Sequence, residues 1–88
     1  AIANIYQSLE QGIRVFDSSI AGLGGCPYAK GASGNVSTED LYYLLSNMGY
    51  DTGIDLDALM IASQNISQVL QRTNPSNYAN AYWQKRCA

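Results

Sequence analysis

Histidine is absent from this sequence of 88 residues. It is the side chain that most often transfers protons or binds transition metals near neutral pH. Any chemistry that these residues perform by themselves therefore proceeds without an imidazole.

Cysteine, cationic residues and long apolar runs are also scarce. The two cysteines, Cys26 and Cys87, are too few for a secreted disulfide scaffold and favour free thiols. The five Lys and Arg residues are scattered and the net charge is −2, which argues against a nucleic-acid partner. No apolar run reaches the roughly 20 residues of a bilayer-spanning helix, and no secretory signal is evident. These absences predict a cytosolic protein without a membrane partner.

Apolar side chains at helical spacing predict most of the secondary structure. Gly12 and Gly49 are natural helix terminators, Ser37 or Thr38 and then Asp55 are natural N-caps, and Glu39 and Asp40 suit a first helical turn. The tail from Ser76 has poor periodicity but is compatible with a last short helix. The predicted helices cover residues 1–11, 38–48 and 56–72, with Asn74-Pro75 ending the third.

Residues 13–20 differ from these segments, because they are rich in β-branched and aromatic side chains and begin directly after a glycine. The pattern predicts one β-strand, and a helix leading through a glycine into a strand is half of a βαβ unit. A lone strand cannot satisfy its own backbone groups. Its neighbours are therefore expected outside these 88 residues, which predicts an incomplete chain.

A glycine-rich stretch follows, with five of the eight glycines between positions 22 and 34. A loop between a strand and a capped helix is where α/β proteins place their active sites. The dinucleotide fingerprint fails because Pro27 replaces its final glycine, and the Gly-Lys-Ser/Thr ending of a phosphate-binding loop is missing. On these features alone, an active-site loop and a plain connection both remain open.

Two side chains in this stretch are candidates for chemistry. Cys26 lies between glycines and a proline, where a thiol can reach a substrate, although free cysteine is also a common buried residue. Asn35 offers an amide oxygen suited to Mg²⁺ or Mn²⁺, although asparagine before a helix is also a routine cap. Residue chemistry alone leaves both alternatives open.

Residues 17–35, DSSIAGLGGCPYAKGASGN, resemble the signature loop of hydroxymethylglutaryl-CoA lyases nearly residue for residue. The likeness continues through Thr38-Glu39-Asp40-Leu41 and residues 51–56, and it covers about residues 1–72. Related isopropylmalate and homocitrate synthases keep a loop ending in Gly-Asn but lack the Gly-Gly-Cys-Pro-Tyr element. The resemblance is therefore specific within the metallolyase superfamily.

The fold class that the resemblance implies is α/β, as an incomplete piece of a (β/α)8 TIM barrel that is mostly helical by content. Residues 1–48 would supply the last helix, strand, active-site loop and final helix of the barrel. Residues 49–88 would form a C-terminal helical extension.

The same resemblance implies the reaction and its residues. The whole enzyme would cleave 3-hydroxy-3-methylglutaryl-CoA to acetyl-CoA and acetoacetate, with Cys26 as the catalytic thiol and Gly24 and Gly25 in the substrate loop. Asn35 would be one ligand of a divalent cation, Mg²⁺ or Mn²⁺, whose other ligands lie on strands absent from this chain. The implied partners are a CoA thioester and a second subunit of a homodimer, in the bacterial cytoplasm or, in a eukaryote, the mitochondrial matrix.

Several further side chains carry weaker expectations. Asp17 and Ser19 are as suited to bonding neighbouring strands as to lining the site, and Tyr28 and Lys30 are candidates for CoA contact. Cys87 resembles, in position only, a tail cysteine that pairs subunits in some family members. The alternative to the lyase interpretation is a small helical interaction module whose partner surface comprises the apolar faces between Leu41 and Val69.

Overall fold

The computed structural model describes residues 2–24 and 35–87, with Cys87 described by its backbone only. Four α-helices and one short 3₁₀ turn make up the regular structure of these residues. The helices are α1 (Ile2–Glu10), α2 (Thr38–Asn47), α3 (Leu56–Val69) and α4 (Asn77–Cys87), and the 3₁₀ turn is Ile20–Gly22. The mostly helical content predicted from the sequence is confirmed.

The predicted helix ends are confirmed where the signal is local. The Ser37 side chain accepts a hydrogen bond from the Asp40 backbone N–H at 3.1 Å and caps α2. Asp55 caps α3 by accepting from the Ala58 N–H at 3.1 Å. Gly12, with φ +93°, follows α1 in the left-handed conformation that ends many helices.

Helix α4 begins with a cap that the tail's periodicity does not reveal. The Ser76 hydroxyl accepts from the Ala79 N–H at 3.0 Å and donates to Asp40 Oδ1 at 2.7 Å. The same Asp40 oxygen accepts from the Tyr78 N–H at 3.2 Å. A carboxylate on α2 therefore satisfies free donors at the start of α4.

The strand predicted over residues 13–20 is not formed in the described part of the chain. Residues 13–18 have no regular secondary structure, and one parallel bridge joins Ser19 to Ser37. Val15, in the middle of this segment, is 83% exposed. The sequence preference for extended backbone is local, whereas a strand also needs a partner.

One hydrophobic cluster lies between α1, α2 and the segment that follows α1. Its buried members are Ile5, Leu9 and Leu41, and partly buried neighbours pack around them: Phe16, Val36, Leu44, Leu45 and Tyr50. Further buried apolar side chains lie outside this cluster, and they are Ala21, Leu59, Met60 and Ala79. The chain measures 38 × 36 × 19 Å, so it is a thin slab. In the described ranges, no helix is long and apolar enough to cross a membrane.

Candidate functional site

The approach to the glycine-rich loop is fixed by a strained turn at Ile20–Gly22. Ala21 has φ +55° and is fully buried, and Gly22 has φ +64°. The Gly22 N–H donates to the Ser19 carbonyl at 3.0 Å, and the Leu23 N–H donates to the Ile20 carbonyl at 3.1 Å. A non-glycine residue in the left-handed region costs of order 1–3 kcal/mol and persists only where its surroundings hold it.

Backbone pairing brings the two sides of the loop together. The Ser19 N–H donates to the Val36 carbonyl at 3.0 Å, and the Thr38 N–H donates to the Ser19 carbonyl at 3.0 Å. The hydroxyls of Ser18 and Thr38 share a hydrogen bond of 2.8 Å. The residues before and after the loop are thereby held side by side, and Ser19 lies in this pairing.

The amide of Asn35 rests directly on this turn. Its Nδ2 donates to the Leu23 carbonyl at 2.9 Å. A Cβ atom built at Gly24 would lie 2.6 Å from that nitrogen, so a side chain here would displace the amide. Gly24 also has φ +97°. Glycine permits both this backbone conformation and the observed position of the amide.

With its nitrogen engaged, the Asn35 amide presents its oxygen Oδ1 as a remaining acceptor. The side chain is exposed, and it lines a groove of about 440 Å³ together with Asp17 and Ser18. Ile5, Phe16 and Val36 supply apolar walls. The structure therefore brings Asn35 and Asp17 to one groove.

The residues at this groove fit a divalent cation only as part of a ligand set. Amide and carboxylate oxygens suit hard cations such as Mg²⁺, which require about six ligands. Among residues 2–24 and 35–87, no group of three or more acidic or cysteine side chains is close enough together to hold an ion. One oriented amide oxygen fits a site whose other ligands come from elsewhere.

Other residues singled out in the sequence lie outside the described part of the chain. They are Gly25, Cys26, Tyr28 and Lys30. The side chain of Cys87 also lies outside the described part. The expected roles of these residues remain predictions.

A buried carboxylate is the main feature that sequence reasoning misses. Glu39 is 0% exposed, and its two oxygens accept from the Ala21 N–H at 3.0 and 3.2 Å. Ser63 Oγ donates to Oε2 at 2.6 Å and Asn74 Nδ2 donates to Oε2 at 3.1 Å. The sequence signal, an acidic residue in a first helical turn, indicates a favourable dipole position and gives no sign of burial.

Tyrosines cover the junction of α2 and α4. The ring of Tyr78 stacks on Tyr43 with centroids 4.6 Å apart and lies 6.4 Å from Tyr42. Burial, followed by the neighbouring Tyr42 and Tyr43, raises the pKa of Tyr78 above its ordinary value of 10.0. A hydrogen bond to Asp57 raises the pKa of Tyr82. Neither tyrosine lines the groove around Asn35.

Known proteins are similar to this chain in sequence and in architecture. A family model described as HMGL-like matches residues 1–66. The chain is 59% identical over 81 residues to the 3-hydroxy-3-isohexenylglutaryl-CoA/hydroxy-methylglutaryl-CoA lyase of Pseudomonas aeruginosa. That alignment covers 92% of this chain and 27% of the relative. The chain thus spans about a quarter of the relative's length.

Solved structures agree with this result. The crystal structure of hydroxymethylglutaryl-CoA lyase from Pseudomonas aeruginosa superposes with a TM-score of 0.87 at 57% identity, over 96% of this chain and 28% of that one. An HMG-CoA lyase from Acinetobacter baumannii, in complex with coenzyme A and 3-methylmalate, gives a TM-score of 0.84 at 45% identity. This second match covers 91% of this chain and 26% of that one. The resemblance read from residues 17–35 is confirmed.

Proposed function

The chain belongs to the HMGL-like family, and we propose from that premise that it works as part of a lyase that cleaves 3-hydroxy-3-methylglutaryl-CoA to acetyl-CoA and acetoacetate. The observation that carries the proposal is the fixed amide of Asn35, whose nitrogen is bound by the Leu23 carbonyl at 2.9 Å. An amide held in this way presents its oxygen without further ordering. A pre-oriented ligand of this kind is what a catalytic cation site requires.

We propose that the complete enzyme is a (β/α)8 barrel in which residues 1–48 form the last helix, strand, loop and helix. The exposed extended segment 13–18 would pair with barrel strands supplied by the rest of the polypeptide. Residues 49–88 would form the helical extension. The exposed Val15 and the single bridge at Ser19 support this placement, because both lack the neighbours that a sheet provides.

The cleavage is a retro-Claisen reaction. The tertiary hydroxyl of the substrate loses its proton, the bond between C2 and C3 breaks, and its electron pair moves onto the thioester as an enolate. Protonation of the enolate carbon gives acetyl-CoA, and the former alcohol carbon becomes the ketone of acetoacetate. Because charge moves from one oxygen to another, the enzyme has to stabilise both in turn.

This chain would contribute one ligand and one proton-transfer group. Asn35 would hold a divalent cation, Mg²⁺ or Mn²⁺, through Oδ1, and such a cation would polarise substrate oxygens. Cys26 would deliver a proton to the enolate carbon or relay one. Gly24 and Gly25 would let the loop backbone approach the substrate.

The proposed partners follow from the reaction. The substrate is a CoA thioester, and coenzyme A is present in the related Acinetobacter baumannii structure. We propose a homodimeric enzyme of the bacterial cytoplasm, with neither nucleic acid nor membrane as a partner, and a Pseudomonas aeruginosa relative supports the bacterial setting. The high similarity to lyases favours this function over a stand-alone helical module.

A segment exchange tests the proposal. Residues 1–88 replace the matching stretch of the Pseudomonas aeruginosa relative, to give what we call the segment-swapped lyase. We expect it to cleave 3-hydroxy-3-methylglutaryl-CoA with Mn²⁺ present, whereas the 88-residue chain alone shows no turnover because one amide oxygen cannot replace a ligand set. The isohexenyl thioester is assayed in parallel, because the relative's name includes it.

Two variants of the segment-swapped lyase assign the residues. Replacing Cys26 by alanine should lower kcat by at least about a hundredfold, the lower end expected for loss of a proton-transfer group. Asn35→Ala should raise the Mn²⁺ concentration needed for half-maximal activity. A segment-swapped lyase without activity on either thioester would contradict the proposal. So would an unchanged kcat in Cys26→Ala together with an unchanged Mn²⁺ requirement in Asn35→Ala.

A further inference from the structure

A hydrogen-bonded cluster joins the α3–α4 region to the turn before the glycine-rich loop. We call Ala21, Glu39, Ser63 and Asn74 the Glu39 cluster. Glu39 and Ser63 are both 0% exposed. Besides binding Glu39, the Asn74 amide donates to Ser63 Oγ at 2.6 Å, and its Oδ1 accepts from the Ser76 N–H at 2.9 Å. Every member of the cluster is therefore held by at least one other member.

The Glu39 cluster stabilises the left-handed turn at Ala21. Ala21 is a non-glycine residue at φ +55°, and its N–H is held by both oxygens of Glu39. A carboxylate removed from water is itself costly unless donors surround it. Among the described residues, Ser63 and Asn74 are the side chains that donate to it. Removing either donor weakens the hold of Glu39 on Ala21.

The same regions also lie close together at Gly22. A Cβ atom built there would lie 3.4 Å from Cγ of Pro75 and 3.1 Å from the Asn35 carbonyl oxygen. Pro75 directly follows Asn74, so the α3–α4 linker packs on the turn that carries the Asn35 amide. Hydrogen bonds join Ser63 to Glu39, Glu39 to Ala21 and Leu23 to Asn35, and the backbone of the turn joins Ala21 to Leu23.

We propose that Ser63 and Asn74 are positioning residues, which act through Glu39 to hold the Ala21–Gly24 turn in the conformation that orients the Asn35 amide. Neither residue touches the groove that contains Asn35. The consequence for cation binding rests on the proposed function, whereas the consequence for the turn does not. The α3–α4 region thereby helps to orient the Asn35 amide as well as to stabilise the fold.

The chain offers a matched control. Ser67 lies one helical turn after Ser63 on α3, and its buried hydroxyl makes no hydrogen bond within the described residues. Ser63→Ala and Ser67→Ala remove the same atoms from the same helix. Only the first removes a donor from Glu39. Asn74→Asp is a second variant of unchanged shape, which keeps the acceptor for the Ser76 N–H and replaces the donor by an oxygen facing Glu39.

The first measurement needs no catalysis. Hydrogen–deuterium exchange at the Ala21 amide is followed in the metal-free segment-swapped lyase. We expect about tenfold faster exchange in Ser63→Ala and Asn74→Asp, as for loss of one charge-assisted hydrogen bond. Ser67→Ala should remain within about twofold of the unmutated protein. Equal exchange in Ser63→Ala and Ser67→Ala would overturn the proposal, and if Ser63→Ala fails to fold, Asn74→Asp decides in its place.

The second measurement separates positioning from general destabilisation. The Mn²⁺ concentration for half-maximal activity should rise roughly tenfold in the two cluster variants, as for outer partners of metal ligands. Activity at saturating Mn²⁺ should recover most of its loss. A loss that saturating Mn²⁺ does not restore indicates a merely structural role and contradicts the proposal. An unmutated segment-swapped lyase without turnover rejects the proposed function, and the exchange comparison still tests the positioning.

Discussion

Gly24 occupies a position where two independent constraints act on one residue. Its backbone is left-handed at φ +97°, and the Asn35 amide nitrogen lies where a Cβ would stand. Gly12 shares the first constraint at φ +93° but has no atom within 4 Å of its Cβ position. Comparing substitutions at these two glycines therefore separates the effect of backbone strain from the effect of displacing the Asn35 amide.

Replacing Gly24 by alanine should therefore harm the site more than replacing Gly12. We expect each substitution to cost about 1 kcal/mol of stability through strain. Gly24→Ala should in addition displace the Asn35 amide and raise the Mn²⁺ requirement of the segment-swapped lyase several-fold. Urea unfolding and a Mn²⁺ titration measure the two effects. Equal Mn²⁺ requirements in both variants would show that the amide does not depend on Gly24.

Tyr78 supplies a prediction about pH. Its pKa is raised by burial and by two neighbouring tyrosines, so the folded state favours the neutral phenol. The stabilisation that this contributes is complete below the unfolded pKa of 10.0 and is lost as the pH rises through the higher folded value. The unfolding free energy should fall as the pH rises above about 10, and Tyr78→Phe should reduce that fall. An identical pH profile for the Phe variant would contradict this assignment.

Helices show which parts of the fold are readable from sequence. The caps at Ser37 and Asp55 bind N–H groups only three residues away, so a short stretch contains the whole signal. The start of α4 depends instead on Asp40, 36 residues before Ser76. Residue preference alone predicts a strand over 13–20, which is not formed in the described residues because strand pairing also depends on a second segment.

The candidate site likewise has features that a local motif predicts and features that depend on distant residues. The sequence motif makes Asn35 a candidate, and the structure adds the orientation of its amide. For Glu39 the sequence indicates only a position favoured by the helix dipole, and it does not predict burial because Ser63 and Asn74 lie 24 and 35 residues away. Spatial convergence of distant polar residues leaves no periodic trace in a sequence.

The capping role of Ser76 is testable at the level of the helix. Ser76→Ala removes the acceptor of the Ala79 N–H and the donor to Asp40. We expect a loss of about 1–2 kcal/mol, typical of a buried N-cap. Exchange at the Ala79 amide should accelerate. The control is Ser46→Ala, at an exposed position in α2, and equal losses in the two variants would reject the cap.

The thin slab leaves large apolar side chains on its surface. Ile61, Val69 and Leu70 are at least half exposed, and Val15 is 83% exposed. Such side chains are ordinary when scattered, but Val15 lies in a segment whose sequence favours a strand. Its environment should therefore differ between the isolated chain and the complete enzyme.

Val15→Thr is expected to affect stability differently in the isolated chain and in the segment-swapped lyase. In the isolated 88-residue chain the substitution should change stability by less than about 0.5 kcal/mol, as at other exposed positions. In the segment-swapped lyase it should cost about 1–3 kcal/mol, because a hydroxyl would be buried where a methyl group packed. Thermal unfolding measures both. A neutral effect in both proteins would contradict the proposed barrel placement.

The long sequence separations within the Glu39 cluster have a consequence for protein synthesis. A ribosome adds Ala21 and Glu39 to the chain before it adds Ser63 and Asn74, so a nascent chain ending near residue 60 lacks two of the three donors to the carboxylate. Such a chain already carries the thiol and the amide of the loop. We expect the turn beneath them to take its final shape only after the α3–α4 linker has left the exit tunnel.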